Sequence, residues 1–259
     1  MINGEFIKDR WIVGIVRELA KSRNISFLSW SDDWLIELRK DWQRHYIIGY
    51  RFGLNNSAAA TISQDKVGTY AILAANNIPA IPHVLVRTKV SEANQTEMNE
   101  WQQVVIKPLE GTSGHGVRLC NDVGEAMQAI EASPIQAWAA APYVAIEREV
   151  RLIILEGKVL LAYEKIPTIK NGLKMFNLGI GATPAAVLAD TLMTEIALSA
   201  QSALGLRLCA VDIVQDSNGM YKVLEINDAI MMEHYARYSA QNKDRAIKVY
   251  DAIVERMFE

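Results

Sequence analysis

The stretch from Val104 to Leu119 narrows the folds open to this chain more than any other. A β-branched run, Val104-Val105-Ile106, ends in Lys107 and Pro108. Glycines follow at 111, 114 and 116, and Val117-Arg118-Leu119 then resumes a strand-like alternation. The pattern predicts a strand, a glycine-rich flap and a second strand. Glycine lets a backbone approach a ligand closely, and successive amides in such a turn form a cavity for anions. A lysine just before the flap adds a point charge suited to phosphate. Three better-known arrangements are excluded. A P-loop needs Gly-Lys-Ser/Thr opening a helix, whereas Val117-Arg118 follows Gly116 here. A dinucleotide loop also opens a helix, and protein kinases place the glycine loop before the lysine. Taken alone, a plain hairpin with a glycine-rich turn remains the alternative.

A second constellation lies near the end of the chain. Asp212 sits inside the apolar run Cys209 to Val214, and Glu225 and Asn227 sit inside Tyr221 to Asn227. Asp216-Ser217-Asn218-Gly219 between them is a turn signal. With those four residues as the turn, Asp212 falls opposite Val223, and strand parity puts Asp212, Glu225 and Asn227 on one sheet face. Diagonal neighbours of this kind have Cβ atoms about 7–8 Å apart. Two carboxylates and an amide carbonyl are hard oxygen donors. They suit Mg²⁺, which usually takes one or two carboxylates plus substrate phosphates. A solvated strand face with stray acids fits poorly, because the flanking residues are apolar and acids are depleted in strands.

Composition limits the partners. The 259 residues carry 27 basic and 30 acidic side chains, a net charge of −3, so no basic excess points to nucleic acid. Half of the residues are apolar and 22% are charged, as in ordinary globular chains with room for two small domains or one elaborated domain. Cys120 and Cys209 lack metal-ligand or CxxC spacing and read as buried thiols in a reducing cytoplasm. The start is not a signal peptide. The longest nearly apolar run, Ile135 to Ile146, contains Gln136 and Pro142 and is too short to span a membrane. A cytoplasmic protein without membrane or nucleic-acid partners is expected.

In chain order, residues 1–56 predict a shortened α/β unit. It has a helix from Trp11, a strand at Ile25–Trp30, a helix capped by Ser31-Asp32-Asp33 and running to Arg39, and a strand from His45 to Tyr50. Helices are expected at 58–64 and 67–76, and a strand at 83–86. An Asp122/Glu125 capping box opens a helix to about Ala132, and a buried strand follows at 135–140. A hairpin turns at Glu156-Gly157, and a glycine-containing loop spans 170–181. A long helix is expected from Pro184 to Leu204, then strands at 207–215 and 220–227 and a helix over 240–258.

A lysine with a glycine flap, a buried strand leading to a hinge, and a late Asp…Glu-x-Asn set, in this order, resemble the ATP-grasp superfamily. Within it the chain looks most like the ligases related to the ribosomal-S6 glutamate ligase and bacterial glutathione synthetase, over about residues 57 to 230. The resemblance implies an α/β (α+β) fold in which two α+β subdomains grip ATP. Residues 57–145 would carry the lysines and flap, and 146–259 the metal site, behind the shortened unit 1–56. It matches Lys66 and Lys107 to the two ATP lysines, and Gly111, Thr112, Ser113, Gly114 and Gly116 to the phosphate flap. Ala141-Pro142-Tyr143-Val144 matches the adenine hinge, with Ala141 where most members carry glutamate, and Glu149 matches the ribose-binding acid. Arg151 matches the arginine of the family's Asp-x-Arg. Lys165, Lys174 and Asn177 match the segment that approaches the γ-phosphate and acceptor carboxylate. Asp212, Glu225 and Asn227 match the Mg²⁺ ligands, with Mn²⁺ able to substitute.

The implied activity is an ATP-dependent carboxylate–amine ligase that forms an amide through an acylphosphate on an amino acid or small peptide. Its partners would be a small-molecule carboxylate and amine, with homo-oligomerisation left open. Two other readings keep the nucleotide site: a kinase acting on a hydroxyl, and a non-catalytic nucleotide-binding regulator. The chain departs from many relatives at Asp228 to His234, where they carry small residues, proline and glycine. Ile230, Met231 and Met232 are expected there to line an apolar substrate pocket, unless they pack the C-terminal helix.

Overall fold

The computed structural model describes residues 10–87, 92–109, 116–170 and 173–259. The N-terminal unit opens with α1 (Trp11–Ser22), which buries Ile12, Val13, Val16 and Ala20 along one stripe. Four strands follow as an antiparallel meander: β1 (Ser26–Trp30), β2 (Leu35–Lys40), β3 (Gln43–Ile48) and β4 (Arg51–Phe52). The helix expected after Ser31-Asp32-Asp33 is strand β2 instead. Those three residues take left-handed φ values of 53°, 52° and 62°. They therefore reverse the chain rather than cap a helix, as Ser and Asp can. β2 then pairs on both sides and buries Ile36 and Leu38.

Local chemistry sets the next elements. Asn56 accepts from the Ala59 amide to open α2 (Ser57–Gln64), and Asp65 accepts from the Val67 and Gly68 amides to open α3 (Lys66–Ala75). β5 (Val84–Arg87), α4 (Glu92–Asn99), β6 (Val104–Pro108), β7 (Arg118–Cys120), α5 (Val123–Glu131) and β8 (Ala137–Pro142) follow. Their strands form one antiparallel sheet in the order β5-β8-β6-β7. Asp122 accepts the Glu125 amide as the cap expected from the sequence, while the Glu125 carboxylate reaches back to the Asn121 amide, one residue before the cap, rather than to Asp122 itself.

The larger sheet has the order β13-β10-β9-β14-β15. β9 (Ile146–Leu155) and β10 (Lys158–Ile166) form a hairpin through Glu156 and Gly157, both at positive φ. A short hairpin of β11 (Thr168–Lys170) and β12 (Leu173–Met175) leads to β13 (Thr183–Ala186), then α6 (Thr191–Leu204), β14 (Leu208–Asp216) and β15 (Tyr221–Asn227). The helix expected from Pro184 begins only at Thr191, capped by Asp190. Residues 183–186 instead pair with β10 at the sheet edge, where a proline is tolerated. α7 (Glu233–Tyr238) and α8 (Ala240–Met257) end the chain. The two sheets are stitched together where Ile81 donates to the Val223 carbonyl at 2.9 Å and Val223 donates to the Pro79 carbonyl at 2.8 Å. Among the described residues no helix is long and apolar enough to cross a membrane.

The N-terminal unit shares its core with the rest of the chain. Ile12, Ile36 and Phe52 cluster with Tyr163, Leu208, Tyr235 and Tyr250. Ile230 and Met232, each 1% exposed, belong to the same core. The apolar substrate pocket expected at these two residues is therefore absent, because Ile230 donates to the Tyr50 carbonyl at 2.9 Å and is drawn down onto the N-terminal unit. Asn55 fastens the same junction. Its amide donates to the Leu208 carbonyl at 2.7 Å, and its oxygen accepts the Arg207 and Leu208 amides at 2.8 and 2.9 Å. Asn55→Ala removes all three bonds and should lower stability by about 2–3 kcal/mol. The change should appear as a lower urea midpoint with an unchanged slope, and an unmoved midpoint would refute it.

Candidate active site

One face of the larger sheet gathers the charged residues singled out in the sequence. On β9, Arg151 lies opposite Asp212 of β14 and Tyr163 of β10. Asp212 lies directly opposite Glu225 of β15, not Val223. The difference is a β-bulge: Leu224 is an extra residue on β15, so Ile213 pairs with Val223 while Asp212 pairs with Glu225. The two carboxylates are thus direct cross-strand neighbours rather than diagonal ones.

The side chains form one connected network. Arg151 grips Asp212 in a fork, Nε to Oδ1 at 2.7 Å and Nη2 to Oδ2 at 2.6 Å. This is the bidentate geometry that arginine favours. Lys165 Nζ lies 3.0 Å from Asp212 Oδ2 and 2.5 Å from Glu149 Oε1. Glu225 Oε1 lies 3.7 Å from Arg151 Nη2 and accepts from Asn227 Nδ2 at 3.1 Å. Asp212, Glu149 and Lys165 are all buried. Burial by itself would push the Asp212 carboxyl up, but Arg151 and Lys165 together outweigh it and hold it well below the usual carboxylate range. For Glu149, burial pushes the carboxyl up, Lys165 pulls it back, and the Asp212 charge adds to the rise. Three carboxylates face two cations, so the network carries one excess negative charge.

Two other lysines lie near Glu225, Lys66 on a narrow crevice and Lys107 within electrostatic reach of the carboxylate. Lys66 begins α3 and lines that crevice with Tyr70, His83 and Glu225. Lys107, near the end of β6, has its Nζ 3.4 Å from His83 Nε2. Burial pushes the Lys107 ammonium below its ordinary value, Glu225 and Glu149 pull it back, and Lys66 adds to the fall. No pattern in the sequence points to His83. It is a single histidine between Pro82 and a strand, and only the fold brings it to Lys107.

The remaining expected residues are placed differently. Lys174 stands apart from the network in an exposed pair with Glu147, and its Nζ donates to the Ile146 carbonyl. Asn177 accepts the Gly179 amide at 2.7 Å and so caps a short 3₁₀ turn over Leu178–Ile180. Ala141 and Pro142 end β8, and Ala141 is buried with Ile81 and Val214. Beyond them the Tyr143 amide donates to the Gln103 carbonyl. Gly116 has φ 74°, and a Cβ there would come within 2.8 Å of Pro108 Cγ, so glycine is required where the flap rejoins β7. Gly111, Thr112, Ser113 and Gly114 lie outside the described residues.

Among the described residues no three His, Cys, Asp or Glu side chains converge as a ready cage. Glu225 and Asn227 instead offer hard oxygens on β15, beside a crevice lined by Lys66, with Asp212 directly opposite Glu225 and its two oxygens engaged by Arg151 and Lys165. That set fits Mg²⁺ arriving with phosphate oxygens, the usual mode for this ion.

The buried neutral state of His83 has a pH signature. Burial, then the Lys107 charge, push its imidazole from 6.5 down to about 3. Between those values the unfolded chain binds the extra proton, so stability falls as pH drops through that window. Between pH 7 and pH 5 the loss from this group should be about 2 kcal/mol. Denaturation midpoints of the natural chain and of His83→Gln, taken at both pH values, should differ in slope by that amount. Parallel curves would show that His83 is not held neutral.

Comparison with known proteins places the chain. Residues 63–253 match the family model of the RimK-like ATP-grasp domain. Over 221 residues the chain is 28% identical to a probable alpha-L-glutamate ligase of Shewanella halifaxensis, an alignment covering 83% of this chain and 46% of that relative. It likewise spans less than half the length of similar ligases from Rhodopirellula baltica and Shewanella pealeana. The D-alanine–D-alanine ligase of Bacillus anthracis complexed with ATP superposes with a TM-score of 0.61 at 16% identity, covering 79% of this chain and 69% of that one. The ATP-grasp ligase PsnB, complexed with a phosphomimetic variant of its minimal precursor, Mg and ADP, superposes with a TM-score of 0.55 at 17% identity, covering 76% and 62%. These structural likenesses bear on the fold, and they agree with the paired antiparallel sheets described above. On the extent of the family match, this chain belongs to the RimK-like ATP-grasp family.

Proposed function

We propose that the chain is an ATP- and Mg²⁺-dependent carboxylate–amine ligase acting on an amino acid or small peptide. One observation carries the reading. Lys66 and His83 line one crevice with Glu225, Lys107 Nζ lies 3.4 Å from the His83 ring, and Glu225 stands beside the Arg151–Asp212–Lys165–Glu149 network. Residues 57–145 would form the lysine and flap subdomain, and 146–259 the metal-site subdomain. Cytoplasmic residence accords with the two free, buried thiols, Cys120 and Cys209.

On this reading Lys66 and Lys107 offset phosphate charge, the segment 141–144 borders the adenine, and Glu149 meets the ribose. Asp212, Glu225 and Asn227 would hold Mg²⁺, which when bound neutralises charge on the transferring phosphoryl group; Mn²⁺ could take the same donors. The substrate carboxylate oxygen attacks the γ-phosphorus, ADP leaves, and an amine displaces phosphate from the acylphosphate to give the amide. Arg151 and Lys165 neutralise and orient, and no side chain becomes covalent. Lys174 and Asn177 lie on the segment that would border the acceptor. The test is an ADP-release screen of paired amino acids and dipeptides, followed by product mass. A product lighter than the summed reactants by one water supports the ligase, and a phosphorylated hydroxyl compound sinks it.

The network separates the two acids. Glu225→Gln, at a half-exposed position, should lower kcat by about 10²–10³ and raise the Mg²⁺ requirement, with ATP affinity kept within about tenfold. Asp212→Asn should share those losses and also cost about 3–5 kcal/mol of stability, because it strips a buried counter-charge from Arg151 and Lys165. Equal melting curves for the two variants would show that Asp212 does not anchor the network.

A further inference from the structure

We propose that His83 is a positioning residue for Lys107: its uncharged Nε2 accepts an N–H from the ammonium and aims it at the nucleotide phosphates without cancelling its charge. The inference rests on the reading of Lys107 as a phosphate-binding lysine.

The geometry comes from the smaller sheet. Val84 of β5 pairs with Ala140 of β8, and Lys107 of β6 pairs with Ala139 on the other side of the same strand. His83, one residue before β5, shares a face with Lys107. On that face the strand between them carries only Ala139 and Ala141, so the ring can reach across to the lysine. The imidazole is 4% exposed. Its Nδ1 lies 2.9 Å from the Ile81 carbonyl. A carbonyl only accepts, so Nδ1 carries the proton and Nε2 presents a lone pair. That lone pair is the atom 3.4 Å from Lys107 Nζ.

The choice of partner matters. Elsewhere in the site Lys165 is held by two carboxylates, Glu149 and Asp212, which absorb its charge. A carboxylate beside Lys107 would do the same and leave less field for a phosphate. A neutral imidazole satisfies one ammonium proton and leaves the positive charge whole. Burial and the Lys107 charge keep the ring unprotonated, with its value pushed down to about 3, so the pair stays singly charged at neutral pH. His83, Lys66 and Glu225 line the same crevice, which puts the pair at the proposed phosphate position.

Two substitutions separate positioning from simple packing. Glutamine places its side-chain oxygen near the position of Nε2, whereas asparagine reaches only as far as Nδ1 and can keep only the bond to Ile81. ADP and ATP binding would be measured by calorimetry on the full chain carrying His83→Gln, His83→Asn, Lys107→Ala, and His83→Asn with Lys107→Ala. His83→Gln should bind within about threefold of the natural chain, and His83→Asn should lose about tenfold, the effect of one charge-assisted hydrogen bond. In the Lys107→Ala background His83→Asn should cost nothing more. Equal affinities for the Gln and Asn variants, or an additive loss in the double variant, would overturn the inference while leaving the ligase reading standing. A natural chain that binds neither nucleotide would instead overturn the ligase reading, and the inference with it.

Discussion

The fork between Arg151 and Asp212 is the interaction on which the rest of the structure depends. A carboxylate with no exposed surface is tolerated only when its charge is met at close range and its lone pairs are filled. Arg151 meets both conditions from the neighbouring strand, and Lys165 completes them from the next. Three strands are thereby locked in a single register, since a slip of one residue would turn every one of these side chains to the opposite face. That opposite face is wholly different. Leu152, Ile154, Val211 and Ile213 pack there against Met193, Ile196, Ala197 and Ala200 of α6. The sheet is therefore apolar on one side and, along half of its other side, ionic.

The second half of the ionic face explains the N-terminal unit. Ile153, Leu155, Leu208 and Ala210 continue the same face away from Arg151 and Asp212, and they are covered by the core that includes Ile12, Ile36, Phe52 and Tyr250. Tyr163, directly beside Arg151, marks the border, with its ring 4.5 Å from that of Tyr235. The N-terminal unit thus removes the apolar half of the face from water and leaves the charged half toward the crevice. The ionic half carries one excess negative charge and would repel a triphosphate by itself. Lys66, at the start of α3, and Lys107, near the end of β6, bring two positive charges near Glu225, so on the proposed reading the phosphates would be met by cations from outside the network.

Much of this was legible in the sequence where the determinants are local. The caps at Asn56, Asp65 and Asp122 each act within three residues, whereas Asp190 caps a helix expected to start at Pro184. The strand alternation around Asp212 and Glu225 placed both acids on one face. What stayed hidden is set by residues outside the element itself. β13 is a strand because β10, some way back in the chain, pairs with it, and β2 is a strand because it is flanked on both sides by the adjoining strands of the meander. The bulge at Leu224 changes a register that turn length alone predicts differently. His83 has no motif at all, and its meaning comes from the alanines on the strand between it and Lys107.

The segment after Asn227 shows how a local departure acquires a structural role. Asp228, 4% exposed, pairs with Arg51 Nε at 2.8 Å. Ile230 bonds the Tyr50 carbonyl, and Tyr250 Oη donates to the Ile230 carbonyl at 2.9 Å. Glu233, 1% exposed, accepts the Trp11 and Ile12 amides at 3.0 and 3.2 Å, where a negative charge complements the start of α1. Small residues or proline in this segment could supply neither the two ion-paired acids nor the apolar plugs. The segment that begins directly after Glu225 and Asn227 is thus the clamp that holds the N-terminal unit on the sheet. One side chain of the segment reaches in another direction. His234 abuts the Asn177 turn, where a Cβ added at Gly179 would come within 3.1 Å of Nε2. That contact ties the spacing between the clamp and the Asn177 turn to a glycine, so the position of that turn and the packing of the N-terminal unit are linked through residues 228–234.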